Sequence, residues 1–217
     1  MAYIEISDCS KVIKKTTILD HIDLKLEKNR IYGFVGRNGS GKTMLFKILT
    51  GLAQPSSGEI RINGQRVSPQ SGYPAKLGVM IENNGLWPYL TAFENLSALA
   101  AIRRELSDAE IAAVIERVGL SNDGKKFAKY SLGMKQRLVF AQAIMEKPEL
   151  LILDEPTNAL DTEGVRLFKE IIRQEKERGA TVLIASHSLE DFSDFCDAII
   201  PMEAGRVVEP KGGSRIE

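Results

Sequence analysis

The sequence has no apolar run of the length that a membrane span requires. Stretches such as LLIL at 150–153 and TVLIAS at 181–186 fall far short of the roughly 20 apolar residues that cross a bilayer. The amino terminus, MAYIEISDCSK, has no basic stretch followed by an apolar core and so does not resemble a secretory signal. We therefore expect a cytoplasmic chain that is not itself a membrane span.

The sequence also lacks an excess of charge of either sign. Lys and Arg number 29, as do Asp and Glu. No overall basic field is present of the kind that draws proteins to nucleic acid regardless of sequence. No nucleic-acid partner is expected.

Cysteine is scarce and shows no pairing pattern. Cys9 and Cys196 lie far apart, without a CxxC spacing and without a histidine at ligand spacing. They are expected to be reduced, structural thiols in a reducing compartment. With 43% apolar and 27% charged residues in 217, and with no internal repeat or linker, the composition favours one soluble globular domain.

The first part of the chain favours short strands. Asn63 and Gly64 are typical of a two-residue hairpin turn, because both tolerate positive φ. We predict an antiparallel sheet near the start, with strands at 3–6, 18–26, 31–35 and 59–62.

The remainder alternates helices and strands. The spacing predicts helices over 42–52, 91–102, 107–118, 131–146 and 161–178, apolar strands at 150–154 and 181–186, and a final strand pair over 198–208. This alternation predicts an α/β fold with a largely parallel sheet covered on both faces.

A glycine-rich segment lies between a strand and a helix. Residues 36–43 read GRNGSGKT, which matches the G-x-x-x-x-G-K-[ST] phosphate loop whose backbone N–H groups point at phosphate oxygens. Lys42 is expected at the β and γ phosphates and the Thr43 hydroxyl on Mg²⁺. The predicted nucleotide-binding residues of the loop are Gly36, Arg37, Asn38, Gly39, Ser40, Gly41, Lys42 and Thr43.

A buried strand ends in two acidic residues. In LLILDEP at 150–156, Asp154 is placed at the sheet edge where ligands of α/β folds bind, and there it can hold Mg²⁺. Glu155 is then free to act as general base on the attacking water. Taken alone, the pattern also fits a strand that ends in a solvated loop, and both motifs together are shared by ATPases, GTPases and kinases.

A third motif separates these classes. The segment KYSLGMKQRL at 129–138 resembles the signature motif of ABC ATPases, in the variant YSLGMKQR. The resemblance implies that Ser131 and Gly133, at a helix amino terminus, contact the γ-phosphate held by the opposite subunit. By itself the motif is weak evidence, because it also fits a helix capped by Ser131.

Two further matches support the resemblance, which covers nearly the whole chain. NALD at 158–161 occupies the position of the family's D-loop, which implies that Asp161 lies at the subunit contact, although it also fits a helix N-cap. His187 occupies the switch-histidine position, which implies a hydrogen bond to the γ-phosphate and a role in holding the water. His21 has no such setting and is expected to be structural.

The sequence departs from the family at two positions. Glu82 stands where the family usually has a glutamine; it is expected to ligate Mg²⁺ or to orient water, unless it is simply an exposed acid. A glutamate there, together with YSLGMKQR, resembles the transporters of bacitracin, lantibiotics and related peptide antibiotics. Ile13 stands where an aromatic usually stacks on adenine, so apolar contact is expected to replace stacking.

Trp87, Pro88 and Tyr89 fall in the loop before the predicted helix at 91–102. In the family this region grips a short helix of the membrane subunit, and an aromatic cluster suits such a contact. The alternative is a locally packed aromatic loop.

The resemblance implies a single ABC ATPase domain over residues 1–217. It would have a P-loop NTPase (RecA-like) core at about 1–84 and 146–217, an amino-terminal antiparallel β subdomain, and an inserted α-helical lobe at about 85–145. It further implies ATP and Mg²⁺ as ligands, a homodimer or heterodimer that sandwiches two nucleotides, and an integral membrane permease that holds the pair on the inner face of the membrane. The rival is a soluble ABC ATPase associated with nucleic acid or ribosomes, but such proteins usually carry a second ATPase unit or long basic arms that this chain lacks.

Overall fold

The computed structural model describes residues 2–68, 73, 76–81, 85–188 and 194–208. Its strands are β1 (Ile4–Ile13), β2 (Thr16–Leu26), β3 (Ile31–Val35), β4 (Ser57–Ile62), β5 (Gln65–Arg66), β6 (Leu77–Met80), β7 (Leu150–Asp154), β8 (Thr181–Ser186), β9 (Ala198–Glu203) and β10 (Arg206–Val207). Its helices are α1 (Lys42–Leu49), α2 (Ala92–Arg103), α3 (Asp108–Arg117), α4 (Leu132–Ile144) and α5 (Thr162–Glu177), with a 3-10 turn over Phe127–Lys129.

A four-stranded antiparallel sheet holds the amino-terminal strands in the order β2-β1-β4-β5. The predicted hairpin is confirmed, since Asn63 and Gly64 have φ values of 53° and 75°. β1 and β2 are longer than predicted and meet at a second tight turn, where Lys14 and Lys15 have φ values of 46° and 68°. Lysine seldom adopts positive φ, so no local pattern indicated a turn at these two residues.

A six-stranded sheet has the order β10-β9-β3-β8-β7-β6. The expectation that strand 31–35 belongs to the antiparallel sheet is wrong, because β3 pairs parallel with β8 and β9. Every neighbouring pair from β9 to β6 is parallel, and only β10 pairs antiparallel. The predicted parallel sheet is confirmed. Because parallel strands end at the same edge, the residues that follow β3, β8 and β7 lie side by side.

The two faces of this sheet are covered by separate groups of apolar side chains. Leu151 and Leu153 of β7 face a cluster with α2, α3, α4 and α5, whereas Leu150 and Ile152 face a cluster with α1 and the antiparallel sheet. Such alternation follows from the period of two along a strand. β7 is therefore buried on both sides and positions its last residue firmly.

The predicted helices are all present, with ends within three residues of the expected bounds. Thr91 and Ser107 form capping boxes, while Ser131 and Asp161 cap α4 and α5 through their side chains. One detail differs, because the first helix was predicted to extend to Leu52. It lies beyond the end of α1 and is 69% exposed.

Helices α2, α3 and α4 form an insertion between β6 and β7, which is where the helical lobe is predicted. The division into core and lobe remains a prediction. Arg117 of α3 reaches α5, where its guanidinium donates to the buried carboxylate of Glu175 at 2.7 Å. Within the described ranges, no helix has both the length and the apolar character to cross a membrane.

Candidate active site

The phosphate-loop segment follows β3 directly and depends on glycine. Gly39 and Gly41 have φ values of 81° and 103°, in the region that side chains disfavour. A Cβ on Gly41 would lie 2.7 Å from Cδ2 of Leu19 and 3.0 Å from the carbonyl oxygen of Ile18. The loop is thus packed against β2, and only glycine fits at its tightest point.

Lys42, the first residue of α1, is a buried cation at the centre of this loop. Its side chain folds back, and Nζ donates to the carbonyl oxygens of Gly36 at 2.5 Å and Arg37 at 3.3 Å and to the Ser40 hydroxyl at 3.4 Å. Burial lowers the pKa of the ammonium, against the opposing effect of the Glu155 and Asp154 carboxylates. A phosphate would offer it a charged acceptor in place of these neutral ones.

Thr43 and Asp154 meet across the loop. The Thr43 hydroxyl donates to Oδ2 of Asp154 at 2.6 Å, so the two predicted Mg²⁺ ligands are already adjacent. The described residues contain no cluster of three or more His, Cys, Asp or Glu side chains that could hold a metal. The adjacent oxygens of Thr43 and Asp154 suit Mg²⁺, which commonly takes one or two protein oxygens and completes its shell with phosphate and water.

Glu155 and His187 also meet. Nδ1 of His187, just after β8, lies 3.0 Å from Oε2 of Glu155, just after β7. Glu155 has a φ of 47°, and its backbone N–H donates to the carbonyl oxygen of Ala185 at 3.0 Å. The adjacent strand ends thus bring together the two residues predicted to handle the attacking water.

The signature segment stands apart from the phosphate loop. Ser131 is exposed and its hydroxyl accepts from the backbone N–H of Met134 at 3.2 Å, while neighbouring Leu132 is 69% exposed. Across the part of the chain that the structure describes, no hydrogen bond joins residues 131–134 to residues 36–43. Gly133 instead contacts its own chain, since a Cβ there would lie 2.8 Å from the carbonyl oxygen of Ala159.

Three further residues were predicted to lie at the site. Asp161 accepts from the Gly164 N–H at 2.8 Å and from Arg137 at 3.3 Å, and its side chain is 74% exposed. Ile13 is 40% exposed at the end of β1. Glu82 lies outside the described residues.

Both aromatic side chains of the Trp87–Tyr89 loop reach the surface, Trp87 with 36% and Tyr89 with 65% exposure. The loop is also held internally, since the Asn95 side chain accepts from the Trp87 N–H and donates to its carbonyl oxygen. It is therefore both ordered and exposed.

His21 lies in the antiparallel sheet rather than at the site. Its ring contacts the Asp8 carboxylate across β1 and β2, and this hydrogen bond raises the pKa of the imidazole. The prediction of a structural role agrees with this position.

Gln136 also contacts the site, although no sequence pattern predicted it. Its Nε2 donates to the carbonyl oxygens of Glu155 at 3.1 Å and Pro156 at 3.2 Å. No sequence pattern indicates that a glutamine inside a helix makes such a contact. Only the position of Gln136 within the signature segment could have pointed to it.

The phosphate loop, the acidic strand end and the parallel sheet together define a P-loop nucleotide hydrolase. The model of the ABC transporter family matches residues 19–158, and the chain belongs to that family. It is an ATP-binding and ATP-hydrolysing subunit.

Curated relatives match along almost the whole chain. An uncharacterized ABC transporter ATP-binding protein of Bacillus subtilis, YybJ, is 49% identical, with 94% of each chain covered. The bacitracin transport ATP-binding protein BcrA of Enterococcus faecalis is 40% identical over 95% of this chain and 68% of its own length. The lantibiotic transport ATP-binding protein SrtF of Streptococcus pyogenes is 36% identical, with coverages of 96% and 90%.

A solved structure described as the ATP binding subunit of an ABC transporter agrees with the fold. It superposes with a TM-score of 0.83 at 30% identity, over 94% of this chain and 88% of that one. These similarities confirm the predicted family and support the transporter interpretation rather than the soluble alternative.

Proposed function

We propose that this chain hydrolyses ATP at a site shared by two subunits, and that the cycle drives a separate permease that exports a peptide antibiotic or similar cargo. The observation that carries the proposal is the pairing of Thr43 with Asp154 and of Glu155 with His187, on adjacent strand ends beside Lys42.

The loop over 36–43 would bind the triphosphate. Its backbone N–H groups and the positive end of α1 favour an anion, and Lys42 would exchange its neutral acceptors for the β and γ phosphate oxygens. Thr43 and Asp154 would hold Mg²⁺, with Glu82 as a further ligand or water contact. Bound Mg²⁺ would neutralise charge on the phosphate oxygens. Ile13 would contact adenine through its apolar side chain.

Glu155 would act on the attacking water. Its carboxylate accepts a proton as the water oxygen bonds to the γ-phosphorus, and the bond to the ADP oxygen breaks with the electron pair on ADP. His187 keeps Nδ1 toward Glu155 in this structure, an orientation that lets the ring present Nε2 to the γ-phosphate.

A second chain would complete the site. The exposed Ser131 hydroxyl and the amino terminus of α4 have the chemistry to bind a phosphate, but no hydrogen bond among the described residues links them to the chain's own phosphate loop. Ser131 and Gly133 would contact the γ-phosphate of the opposite chain, and the exposed Leu132 and Asp161 would lie in the contact. The second chain is another copy or a close relative.

A permease would dock on exposed apolar side chains. Leu52, Trp87, Tyr89 and Ile102 are all large and at least 36% exposed. Leu52 also lines a groove of about 270 Å³ with Met80 and Ile81. Exposed aromatic and aliphatic groups of this kind mark protein contacts. The similarity to BcrA and SrtF supports peptide antibiotics as the cargo class.

Substitution of the general base tests the mechanism. Glu155→Gln should bind ATP, slow hydrolysis by at least about 100-fold, and accumulate as an ATP-loaded dimer in size-exclusion chromatography. Glu163→Gln, at an exposed residue of α5, is the matched control and should behave as wild type. A Glu155→Gln monomer with undiminished turnover would overturn the proposal, and purification without any associated membrane protein would count against the permease.

A further inference from the structure

The Gln136 side chain joins helix α4 to the residue proposed as general base. Its amide nitrogen donates to two successive carbonyl oxygens, those of Glu155 and Pro156, at 3.1 Å and 3.2 Å. A side-chain amide has two N–H groups, so both bonds can be satisfied at once. Gln136 thus holds the backbone of Glu155 without touching its carboxylate.

Glu155 needs such support because its backbone is strained. Its φ of 47° lies in the left-handed region, which a residue with a side chain adopts only when the surroundings enforce it. The Ala185 carbonyl holds the Glu155 N–H on one side of the peptide, and Gln136 holds the carbonyl on the other. Together these contacts determine where the carboxylate points.

Helix α4 contacts the same loop at two further points. Gly133 approaches the Ala159 carbonyl so closely that a Cβ would lie 2.8 Å away, and Arg137 donates to Asp161 at 3.3 Å. The segment 155–161 therefore lies against the first two turns of α4. If α4 shifts, residues 155–161 must shift with it. Of the contacts between them, that of Gln136 lies nearest to the general base.

We propose that Gln136 is a positioning residue for hydrolysis, which holds the Glu155 backbone so that its carboxylate faces the attacking water. Because Ser131 caps the amino terminus of α4, Gln136 also transmits the position of that helix end to Glu155. A nucleotide bound across the dimer at Ser131 would thereby help to align the base in the same chain. The inference rests on the proposed function of Glu155 and Ser131.

Two substitutions separate positioning from packing. Gln136→Glu keeps the shape but replaces the donors with a carboxylate that faces two carbonyl oxygens, and Gln136→Ala removes the side chain. Both should lower kcat by roughly tenfold to a hundredfold, with Gln136→Glu at least as impaired, while the Kd of ATP from equilibrium binding stays within about twofold. Gln142→Ala, six residues further along α4, is the matched control and should leave both constants unchanged.

A double substitution distinguishes the inference from the function on which it rests. In a Glu155→Gln background, Gln136→Ala should cause no further loss of single-turnover rate, because the base that it positions is gone. Full additivity of the two losses, or a normal kcat in Gln136→Glu, would overturn the inference while leaving the function intact. Wild-type turnover in Glu155→Gln alone would overturn the proposed function instead. A parallel fall in melting temperature and ATP affinity for both Gln136 variants would show a packing role and also overturn the inference.

Discussion

The buried ammonium of Lys42 lies in a setting that favours binding of an anion. Lys42 is only 5% exposed, its pKa is lowered by burial, and its ammonium is held by neutral oxygens of its own loop. A buried cation whose hydrogen-bond acceptors are all neutral gains strongly when a charged acceptor arrives. Burial of the Lys42 charge thus lowers the stability of the free chain but increases its affinity for phosphate.

Lys42→Met should separate stability from ligand binding. Without nucleotide, its free energy of unfolding should stay within about 1 kcal/mol of wild type, because the lost hydrogen bonds and the relieved burial of charge oppose each other. With ATP at about 100 times the Kd, the wild type should gain about 2.7 kcal/mol and the variant nearly none. Thermal melts with and without ATP measure both quantities, with exposed Lys25→Met as the control; an equal ATP-induced shift in Lys42→Met would contradict the assignment.

The two thiols should be nearly inert in the folded chain. Burial raises the pKa of Cys9 to about 11, and burial together with the Asp197 and Asp194 carboxylates raises that of Cys196 to about 12. The thiolate is the reactive form, so at neutral pH alkylation should be at least about 100-fold slower than for a free cysteine, and it should accelerate as the pH rises toward these values. Mass spectrometry over time, with a urea-unfolded sample as the fast reference, measures the rate; labelling of either thiol at the unfolded rate would contradict the prediction.

Single residues were predictable from sequence where adjacency alone fixes their position. Thr43 belongs to a continuous loop, and Asp154 and Glu155 end a strand, so their meeting follows from the parallel order of β3 and β7. Gln136 was not predictable, because no motif or strand end places a helical side chain beside the carbonyl oxygens of Glu155 and Pro156. Such a contact depends on how α4 packs, which no local pattern reports.

At the scale of elements, capping made the helices predictable. The Ser107 side chain accepts from the Glu110 N–H and the Asp161 side chain from the Gly164 N–H, at the positions where the predicted helices begin. The β1–β2 hairpin was missed because its turn consists of two lysines. Neither lysine favours positive φ, so the pairing of the long strands must impose that backbone.

Helix α3 is tied to α5 by a largely buried ion pair. Glu175 is 1% exposed and accepts from Arg117 at 2.7 Å, and it also accepts from Arg178 at 2.7 Å. Removing one arginine leaves the carboxylate with one cation rather than none. The contact should therefore be strong without being indispensable.

Arg117→Leu should lower the free energy of unfolding by about 2 kcal/mol, the usual contribution of a charge-assisted hydrogen bond to a buried group. Arg166→Leu is the matched control, since Arg166 pairs with Glu163 where both side chains are more than 60% exposed, and such pairs contribute about 0.5 kcal/mol. Urea unfolding of both variants provides the comparison. Equal losses would show that burial does not strengthen the α3–α5 contact.

At the scale of the whole molecule, the described chain holds two complementary halves of a site. One is the loop with Lys42 at the carboxyl edge of the sheet; the other is the exposed start of α4 with Ser131. If the two halves of one chain bind different nucleotides, a chain with a defective Lys42 loop and a chain with a defective Ser131 end should together form one intact site. This follows from two-fold symmetry, in which one patch of each chain meets a different patch of its partner.

Mixing Lys42→Met chains with Ser131→Asp chains tests this arrangement. Asp remains a good N-cap, so α4 should persist, but its charge would repel the opposite phosphate. Each variant alone should be inactive, because every site in its dimer carries one defect. In a mixed dimer, one site contains both substitutions and the other site contains neither. Random mixing should therefore restore up to about a quarter of the wild-type turnover. ATP retained on the mixed dimer in a Glu155→Gln background gives a second measurement that needs no hydrolysis. If neither turnover nor ATP retention recovers on mixing, Lys42 and Ser131 do not serve the same nucleotide from different chains.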